Sequence, residues 1–161
     1  MTAHAVLDSP VGPLTAVAHA EELVGLYMDE QRHLPPRASF GQRDDSVLPS
    51  VREQLSAYFA GELQEFTLLL APSGTPFQQQ VWRALRDIPY GSTCSYADLA
   101  VAVGRPTAVR AVGAANGRNP LGIVVPCHRV IGSGGSLTGY SAGLERKRFL
   151  LDLESRQRPL Y

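Results

Sequence analysis

The chain has 161 residues, 44% of them hydrophobic, and its 15 basic residues balance 15 acidic ones. This size allows one ordinary domain or two small ones around a buried core. The chain opens with no charged-then-apolar leader and contains no apolar run near the roughly 20 residues of a membrane helix, so we expect a cytoplasmic protein with no membrane partner. Its two cysteines, Cys94 and Cys127, lack metal-ligand spacing, which argues against a zinc module or a disulfide scaffold.

The net charge of zero hides an asymmetry between the two halves. Residues 1–75 carry four arginines against ten acids, whereas residues 76–161 carry eleven basic residues against five acids. The second half therefore suits a polyanionic partner.

The N-terminal part predicts a small sheet and one helix. Alternating apolar residues separated by turn formers predict antiparallel strands at residues 3–7, 14–18 and 23–28, followed by a polar surface loop over residues 30–45. Apolar residues at helical spacing predict a helix over residues 47–59.

The boundaries of this helix and of its domain are read from local residues. Ser46 is placed to cap the helix and Gly61 to end it. Residues 66–70 favour a further strand, and the Pro- and Gly-containing stretch after it predicts a linker. We therefore expect a supporting domain over residues 1–72 and a second domain over residues 73–161.

The second domain opens with three predicted helices. Thr75 caps the first, Pro76 occupies its first turn, and Trp82 belongs to its apolar stripe and is expected in the core. Ser95 and Asp98 resemble a capping box that opens a short helix ending at Gly104.

Thr107 is placed to cap the next helix, over residues 108–116, and the two short helices form a helix-turn-helix pattern. The side chains of this helix are almost all small, and Arg110 is the long cation in its interior. Because it lacks the side chains that direct readout in the major groove requires, a DNA-binding helix of this kind would tolerate many sequences.

An apolar run over residues 123–131 is interrupted at Cys127. Pro126 cannot join a sheet ladder, so we expect two short extended pieces with Cys127 at the break. A thiol beside an imidazole suits nucleophilic chemistry, although a lone cysteine in an apolar run is also typical of a core. If the backbone stays extended, His128 points away from Cys127. Glycine-rich loops over residues 132–136 and 138–143 and a helix over residues 144–153 complete the chain.

Together these segments resemble the O6-alkylguanine-DNA alkyltransferases. The resemblance covers about the last 90 residues firmly and the rest by general pattern. It implies an α/β (α+β) fold, with a small N-terminal antiparallel sheet and helix and a mainly helical, winged-helix-like C-terminal domain. The matching motifs are Phe77-Gln78-Gln79-Gln80-Val81-Trp82, Ile88-Pro89-Tyr90-Gly91, Ser95-Tyr96, Ala111-Val112-Gly113, Asn119-Pro120, Pro126-Cys127-His128-Arg129-Val130 and Gly139-Tyr140.

The resemblance implies an irreversible, single-turnover methyltransferase reaction without a cofactor. Cys127 attacks the alkyl carbon on O6 of guanine, with O4-alkylthymine as a further candidate substrate. His128 draws the thiol proton through a water, and Glu154 holds the imidazole. Tyr96 donates a hydrogen bond to the departing guanine, and Asn119 braces the Cys127 loop. Some members bind zinc in the N-terminal part; residues 1–75 contain no cysteine, so we expect no metal.

The resemblance also implies a guanine pocket formed by Tyr140, Ser141, Lys147 and Val130. Without the resemblance, Lys147 is interpreted as part of a charged surface run and Glu154 as a solvated helix acid. Ser141 precedes Ala142 where many members have glycine, which predicts a narrower pocket.

The implied partner is double-stranded DNA carrying O6-alkylguanine. The protein is expected to bind as a monomer, with cooperative binding left open. Its thin helix is expected to lie in the minor groove of the DNA, and Arg110 to fill the stack after the base rotates out. The residues expected to contact DNA are Arg110, Thr107, Ala108, Ala111, Ala114 and Ser95.

Two other classes of function remain open from the sequence. A damage sensor would bind the flipped base and recruit other proteins without using Cys127. A thiol hydrolase would use Cys127 and His128 on small acyl substrates, but would leave Arg110 and the helix-turn-helix without a role.

Overall fold

A computed structural model describes residues 1–137 and 139–156. Thr138, part of the second predicted glycine loop, and residues 157–161 of the predicted second domain lie outside the described residues. The strands are β1 (Thr2–Leu7), β2 (Leu14–His19), β3 (Glu22–Met28), β4 (Gln42–Arg43), β5 (Cys94–Ser95) and β6 (Val130–Ile131). The helices are α1 (Pro49–Phe59), α2 (Pro76–Leu85), α3 (Tyr96–Ala102), α4 (Val109–Gly117) and α5 (Leu144–Arg156), with 3-10 turns at Arg37–Phe40 and Cys127–Arg129.

The N-terminal sheet has the strand order β3-β2-β1-β4. Strands β1, β2 and β3 pair antiparallel, as predicted, and their ends differ from the predicted ends by no more than one residue. The prediction of an unbroken loop over residues 30–45 is wrong, because this segment contains a 3-10 turn and β4, which pairs parallel with β1. Both residues of β4 are exposed, so apolar alternation could not reveal the strand.

Helix α1 buries Val51, Leu55 and Tyr58 in the core that also contains Leu14 and Leu26 of the sheet. The prediction that Ser46 caps it is wrong: the helix begins at Pro49, and the Ser46 hydroxyl donates to Asp44 Oδ1 at 2.5 Å. An ionised carboxylate such as that of Asp44 forms stronger hydrogen bonds than a neutral group does, and Asp44 lies only two residues from Ser46. The Ser46 hydroxyl therefore binds Asp44 and does not cap the helix.

The outer edge of β3 joins the two halves of the chain. The predicted strand over residues 66–70 is wrong, since only a single bridge forms there, with Leu23 N–H donating to Leu69 C=O at 2.8 Å. Further along the same edge, Leu26 N–H donates to Pro120 C=O at 2.8 Å. Two short segments thus share the free edge of β3, so residues 66–70 cannot pair along its whole length as a strand.

The C-terminal part is mainly helical. Helix α2 begins with a capping box formed by Thr75 and Gln78, and the indole of Trp82 donates to Ala115 C=O on α4 at 2.9 Å. Trp82 is 3% exposed, which confirms the prediction that it belongs to the core. The predicted capping box of Ser95 and Asp98 is also present at the start of α3.

The second helix of the helix-turn-helix begins later than predicted. A turn closed by Ala108 N–H and Arg105 C=O, 2.9 Å apart, includes Thr107. Helix α4 therefore begins at Val109 without a side-chain cap, and the capping role predicted for Thr107 is wrong.

The backbone around Cys127 is turned where we expected it to be extended. Val125 N–H donates to Leu121 C=O at 2.9 Å, and Ile123 has a φ of 72°, so the first predicted extended piece is wrong. Only the second piece, β6, is a strand, and it pairs parallel with β5. Cys127 and His128 lie in the 3-10 turn before β6. The expectation that their side chains point to opposite sides of an extended strand therefore does not apply.

Both halves contribute to one core, which includes Leu14, Leu26 and Tyr58 together with Leu85, Val112 and Leu150. The predicted fold class, a small N-terminal sheet with a helix and a mainly helical C-terminal part, is confirmed. Among the described residues, every helix is too short or too polar to cross a membrane.

Candidate active site

Cys127 lies at the start of the 3-10 turn and is 4% exposed. Asn119 braces the segment before it: its Nδ2 donates to Val125 C=O at 2.8 Å, and its Oδ1 accepts from Leu121 N–H at 3.0 Å. Since Cys127 N–H also donates to Val125 C=O, at 2.8 Å, Asn119 and the cysteine share one backbone anchor.

Burial raises the pKa of the Cys127 thiol, and this outweighs hydrogen bonds from Asn119 and Tyr140 and the charge of Lys147, which lower it. The sulfur therefore rests as a thiol at neutral pH. A nucleophilic role needs a nearby group to accept its proton.

His128 and Glu154 form a buried pair that can provide this base. Their side chains are 0% and 1% exposed, and His128 Nε2 lies 2.7 Å from Glu154 Oε2. Burial alone would raise the pKa of Glu154, but hydrogen bonds and charges from His128 and Arg129 hold it at about 2. The carboxylate is thus ionised at neutral pH and accepts the bond.

This bond decides which imidazole nitrogen holds the proton. Because ionised Glu154 only accepts, Nε2 of His128 must donate. Burial lowers the pKa of His128, so the ring is neutral and Nδ1 holds the basic lone pair. Nδ1 is buried without a hydrogen-bond partner within residues 1–137 and 139–156.

Glu154 has two further partners that the sequence analysis missed. Arg129 donates from Nε to Oε1 at 2.8 Å and from Nη2 to Oε2 at 3.1 Å, and Tyr58 donates its hydroxyl to Oε2 at 2.6 Å. Arg129 also donates to Ile88 C=O at 2.7 Å. Its place inside a buried apolar run is a signal that could have revealed it, whereas Tyr58 looked like an ordinary core residue of α1.

The interpretation of Glu154 as a solvated helix acid is therefore wrong, and so is that of Lys147 as a surface residue. Lys147 is fully buried, and its Nζ donates to Val130 C=O at 2.6 Å and to Gly139 C=O at 3.3 Å. Val130, predicted to line the pocket, is also fully buried. Burial lowers the pKa of Lys147, while the charge of the Cys127 thiolate opposes this effect.

A cavity of about 390 Å³ adjoins this cluster. Tyr96, Tyr140 and Ser141 line it, as predicted residues of the site, and so does Asn116, which was not predicted. The hydroxyl of Tyr96 donates to Gly139 C=O at 3.3 Å, so it ties α3 to the loop that closes the cavity. Burial raises the pKa of Tyr140, which keeps its phenol protonated.

The N-terminal part of the chain also reaches this loop, which the sequence analysis did not anticipate. Arg32 N–H donates to Ser141 C=O at 2.7 Å, and Arg32 and His33 line the cavity. Arg146 binds both the backbone carbonyl and the carboxylate of Asp29.

The residues predicted to contact DNA lie mainly along the exposed side of the helix-turn-helix. Arg110, Ala111 and Ala114 are exposed on α4, and Ala114 also lines the cavity. Thr107 is exposed and Ala108 is half-buried. Ser95 is half-buried and its hydroxyl accepts from Asp98 N–H at 3.0 Å, so it serves as the cap of α3. Within the described ranges, no cluster of His, Cys, Asp and Glu is arranged to hold a metal.

Two family models match consecutive parts of the chain. The ribonuclease-like domain of 6-O-methylguanine DNA methyltransferase matches residues 3–72, and the DNA binding domain of 6-O-methylguanine DNA methyltransferase matches residues 76–156.

Curated relatives and solved structures agree with this match. A methylated-DNA–protein-cysteine methyltransferase of Mycobacterium tuberculosis is 51% identical over 99% of this chain and 96% of its own length. A constitutive enzyme of the same name from Bacillus subtilis is 44% identical over 96% of each chain. The crystal structure of the M. tuberculosis O6-methylguanine methyltransferase superposes with a TM-score of 0.92 at 50% identity and covers 100% of this chain and 97% of its own. The M. tuberculosis protein OGT in complex with DNA superposes with a TM-score of 0.91 at 50% identity, over 98% and 96% of the two chains.

Proposed function

Because this chain belongs to the 6-O-methylguanine DNA methyltransferase family, we propose that it repairs DNA by transferring the alkyl group from O6 of an alkylated guanine to its own Cys127. The observation that supports this most strongly is the neutral His128, oriented by ionised Glu154, next to the buried Cys127. The backbone carbonyl of Cys127 contacts Asn116, which lines the cavity. The acceptor of the alkyl group is a residue of the protein, so each molecule acts once.

The transfer balances without a cofactor. A water between His128 Nδ1 and the thiol relays the thiol proton to the imidazole, and Glu154 stabilises the resulting positive charge. The sulfur then attacks the alkyl carbon, forming a carbon–sulfur bond as the carbon–oxygen bond breaks. The electron pair of the broken bond remains on guanine, which takes a proton from solvent at N1 while His128 returns the thiol proton to solvent, and the normal base stays in the DNA. The thioether product has no comparably easy reverse step.

The cavity residues hold the base during this step. When the base binds, Tyr96 turns its hydroxyl proton from Gly139 C=O to the guanine ring, on which negative charge develops, and Tyr140 and Ser141 enclose the base. Lys147 bridges Val130 C=O and Gly139 C=O, so it fixes the closing loop relative to the strand that follows Cys127. Its charge also favours the thiolate.

The helix-turn-helix binds the DNA next to this cavity, and the alkylated nucleotide enters the cavity from there. A base within a duplex cannot present its O6 to a buried sulfur, so the nucleotide rotates out at a cost of roughly a few kcal/mol. Helix α4 lies in the minor groove, where Thr107, Ala108, Ala111 and Ala114 approach the DNA and Arg110 fills the vacated stack. Ser95 supports this surface from the start of α3. Phosphate contacts dominate the affinity, which therefore falls with salt.

The remaining parts of the proposal concern organisation. Residues 1–72 form a supporting domain, whose Tyr58 and Asp29 contact α5, and residues 73–161 form the DNA-binding and transfer domain. The protein acts as a monomer. The free thiols of Cys94 and Cys127 suit a reducing, cytoplasmic setting. O4-alkylthymine is a second substrate to be tested.

Mass spectrometry of the protein after reaction with duplex DNA carrying one O6-methylguanine tests the proposal. We expect a gain of one methylene mass on the Cys127 peptide, none after Cys127→Ala, and an unchanged gain after Cys94→Ala. Tight binding without any mass gain would overturn the transferase proposal in favour of a damage sensor. Repeated turnover of a small ester would favour a thiol hydrolase.

A further inference from the structure

The loop over residues 139–143, which we call the lid, lies between two cavities. Gly139, Tyr140 and Ser141 line the cavity of about 390 Å³ that also reaches α4. The same three residues line a second cavity of about 700 Å³ that reaches the start of α5. The lid therefore separates the two cavities and has open space to move into.

The lid covers the sulfur of Cys127. The Tyr140 hydroxyl donates a hydrogen bond to the Cys127 thiol. Cys127 is 4% exposed, and among the described residues that line the 390 Å³ cavity Tyr140 is present and Cys127 is not. A group in that cavity therefore reaches the sulfur only when Tyr140 moves aside.

The turn that follows β3, residues 29–32, contacts the lid and is called the strap below. Arg32 N–H donates to the C=O of Ser141, at the middle of the lid, at 2.7 Å. Arg146, just beyond the lid, donates from Nη1 to Asp29 C=O at 2.6 Å and binds the Asp29 carboxylate through Nη2. The strap thus binds the lid at its middle and near its end.

The strap is itself fixed to the N-terminal sheet. Met28 N–H, at the end of β3, donates to Gln31 Oε1 at 2.7 Å. Gly12, in the turn between β1 and β2, lies so close that a Cβ there would be 3.2 Å from Asp29 Oδ1 and 3.4 Å from Arg146 Nη2. The sheet therefore provides a rigid support for the contacts with the lid.

The lid has the conformational freedom to move when these contacts break. Gly139 and Gly143, at its two ends, have φ angles of 51° and 95°. Glycine passes between conformations more easily than any other residue. A Cβ at Gly143 would meet no described atom within 4 Å, so this end is not held by close packing.

We propose that the strap holds the lid closed over Cys127, and thereby limits the exposure of the sulfur and the size of the alkyl group that the site accepts. The size limit rests on the proposed function, whereas the exposure of the sulfur does not depend on it. A long substituent on O6 requires a wider opening than a methyl group, so the strap slows its transfer more. Contacts between partly exposed charged groups shift such an equilibrium by about 2- to 5-fold.

Labelling of Cys127 with iodoacetamide tests the exposure of the sulfur. Peptide mass spectrometry follows the reaction, with Cys94 of the same molecule as the reference. We expect labelling of Cys127 relative to Cys94 to rise about 2- to 5-fold in both Arg146→Met and Asp29→Ala. Because these variants remove opposite charges, an effect of charge on the thiol would change the two rates in opposite directions.

Single-turnover transfer from matched duplexes tests the size limit. The duplexes carry either O6-benzylguanine or O6-methylguanine at the same position, and the ratio of the two rates does not depend on the fraction of folded protein. We expect the ratio of benzyl to methyl transfer to rise about 2- to 5-fold in both variants. Arg43→Met, which breaks the exposed ion pair with Asp45, is the matched control and should change neither labelling nor the ratio.

Unchanged labelling of Cys127 in both variants, or opposite changes in the two, would overturn the proposal. An unchanged ratio of benzyl to methyl transfer would overturn the size limit, and so would an equal rise in Arg43→Met. Faster labelling in both variants, with no transfer from either duplex by the wild-type protein, is a different result. It would overturn the proposed function and still support a strap that holds the lid over Cys127.

Discussion

The hydroxyl of Tyr58 donates to Oε2 of Glu154 at 2.6 Å, although 96 positions separate the two residues in the chain. The same carboxylate oxygen lies 2.7 Å from His128 Nε2. A residue of the N-terminal helix α1 therefore helps to orient the acid that holds the proposed base.

Replacing Tyr58 tests this connection. Tyr58→Phe removes a buried donor to a carboxylate, so we expect the free energy of unfolding to fall by about 1.5–3 kcal/mol and methyl transfer to slow. Urea denaturation and single-turnover kinetics measure the two effects.

Tyr90→Phe is the matched control for Tyr58→Phe. The Tyr90 ring packs edge-to-face against Tyr58 at 6.3 Å, but its buried hydroxyl has no hydrogen-bond partner among the residues described. Its removal should change the free energy of unfolding by no more than about 0.5 kcal/mol. Equal losses in the two variants would show that the Tyr58 hydroxyl contributes nothing through Glu154.

His128 should determine how the transfer rate depends on pH. Burial lowers the pKa of His128 below 6.5, so the wild-type rate should stay level down to that pH and fall only as the ring becomes protonated. In His128→Gln, only thiol that ionises without assistance reacts, so the rate should rise about tenfold per pH unit towards the raised pKa of Cys127.

Single-turnover reactions, quenched at successive times over a series of pH values, measure the transfer rate as a function of pH. His19→Gln, a change at an exposed histidine of β2, should reproduce the wild-type profile. A level profile in His128→Gln would exclude His128 as the base.

Acid should destabilise the protein through Glu154. The pKa of Glu154 is about 2 in the folded protein against an ordinary value of 4.5, so the unfolded chain binds the proton more readily. The stabilisation is fully present above pH 4.5, is lost as the pH falls to about 2, and is on the order of 3 kcal/mol. His128, whose pKa is lowered, adds a loss that begins below pH 6.5.

Urea denaturation as a function of pH measures this loss, with Glu154→Gln as the variant. The variant should be less stable at neutral pH, because Arg129 keeps a buried charge without a carboxylate partner, and its stability should depend less on pH below 4.5. Parallel curves for the two proteins would contradict the assignment.

The buried Lys147 should matter for both the thiol and the closing loop. Lys147→Met removes a cation that favours the Cys127 thiolate and a donor to Val130 C=O, so we expect transfer to slow roughly tenfold. Arg148→Ala, at the exposed neighbouring position, should leave the rate unchanged. Titration of Cys127 with a thiol reagent should give a higher pKa in Lys147→Met only, and an unchanged pKa would contradict the electrostatic role.

Arg110 should act on duplex DNA and not on the chemical step. In Arg110→Ala we expect methyl transfer from an O6-methylguanine duplex to slow by about tenfold or more, since the rotated base has no replacement in the stack. Reaction with free O6-methylguanine base should keep its rate. Arg52→Ala, an exposed arginine on α1, serves as the control with duplex DNA. Equal slowing on the duplex and on the free base would exclude the proposed role.

Local sequence patterns predicted those elements whose determinants are local. Strands β1 to β3 follow from apolar alternation, and the starts of α2 and α3 follow from capping residues that bind their own helix. Local patterns failed where another contact competed. Ser46 binds Asp44, Thr107 lies within a turn, and the segment before Cys127 folds into turns braced by Asn119.

The sequence by itself determined the family, because seven short motifs occur in order between residues 77 and 140. It also determined the candidate nucleophile Cys127 and its neighbour His128, because both lie in one contiguous motif. Only the tertiary structure decided the burial of Lys147 and Glu154, the contact of Tyr58 with the proposed base's partner, and the hydrogen bond from Arg32 to the lid. The physical reason is that burial and hydrogen bonding depend on segments brought together from distant parts of the chain, and the periodicity of a single helix records neither.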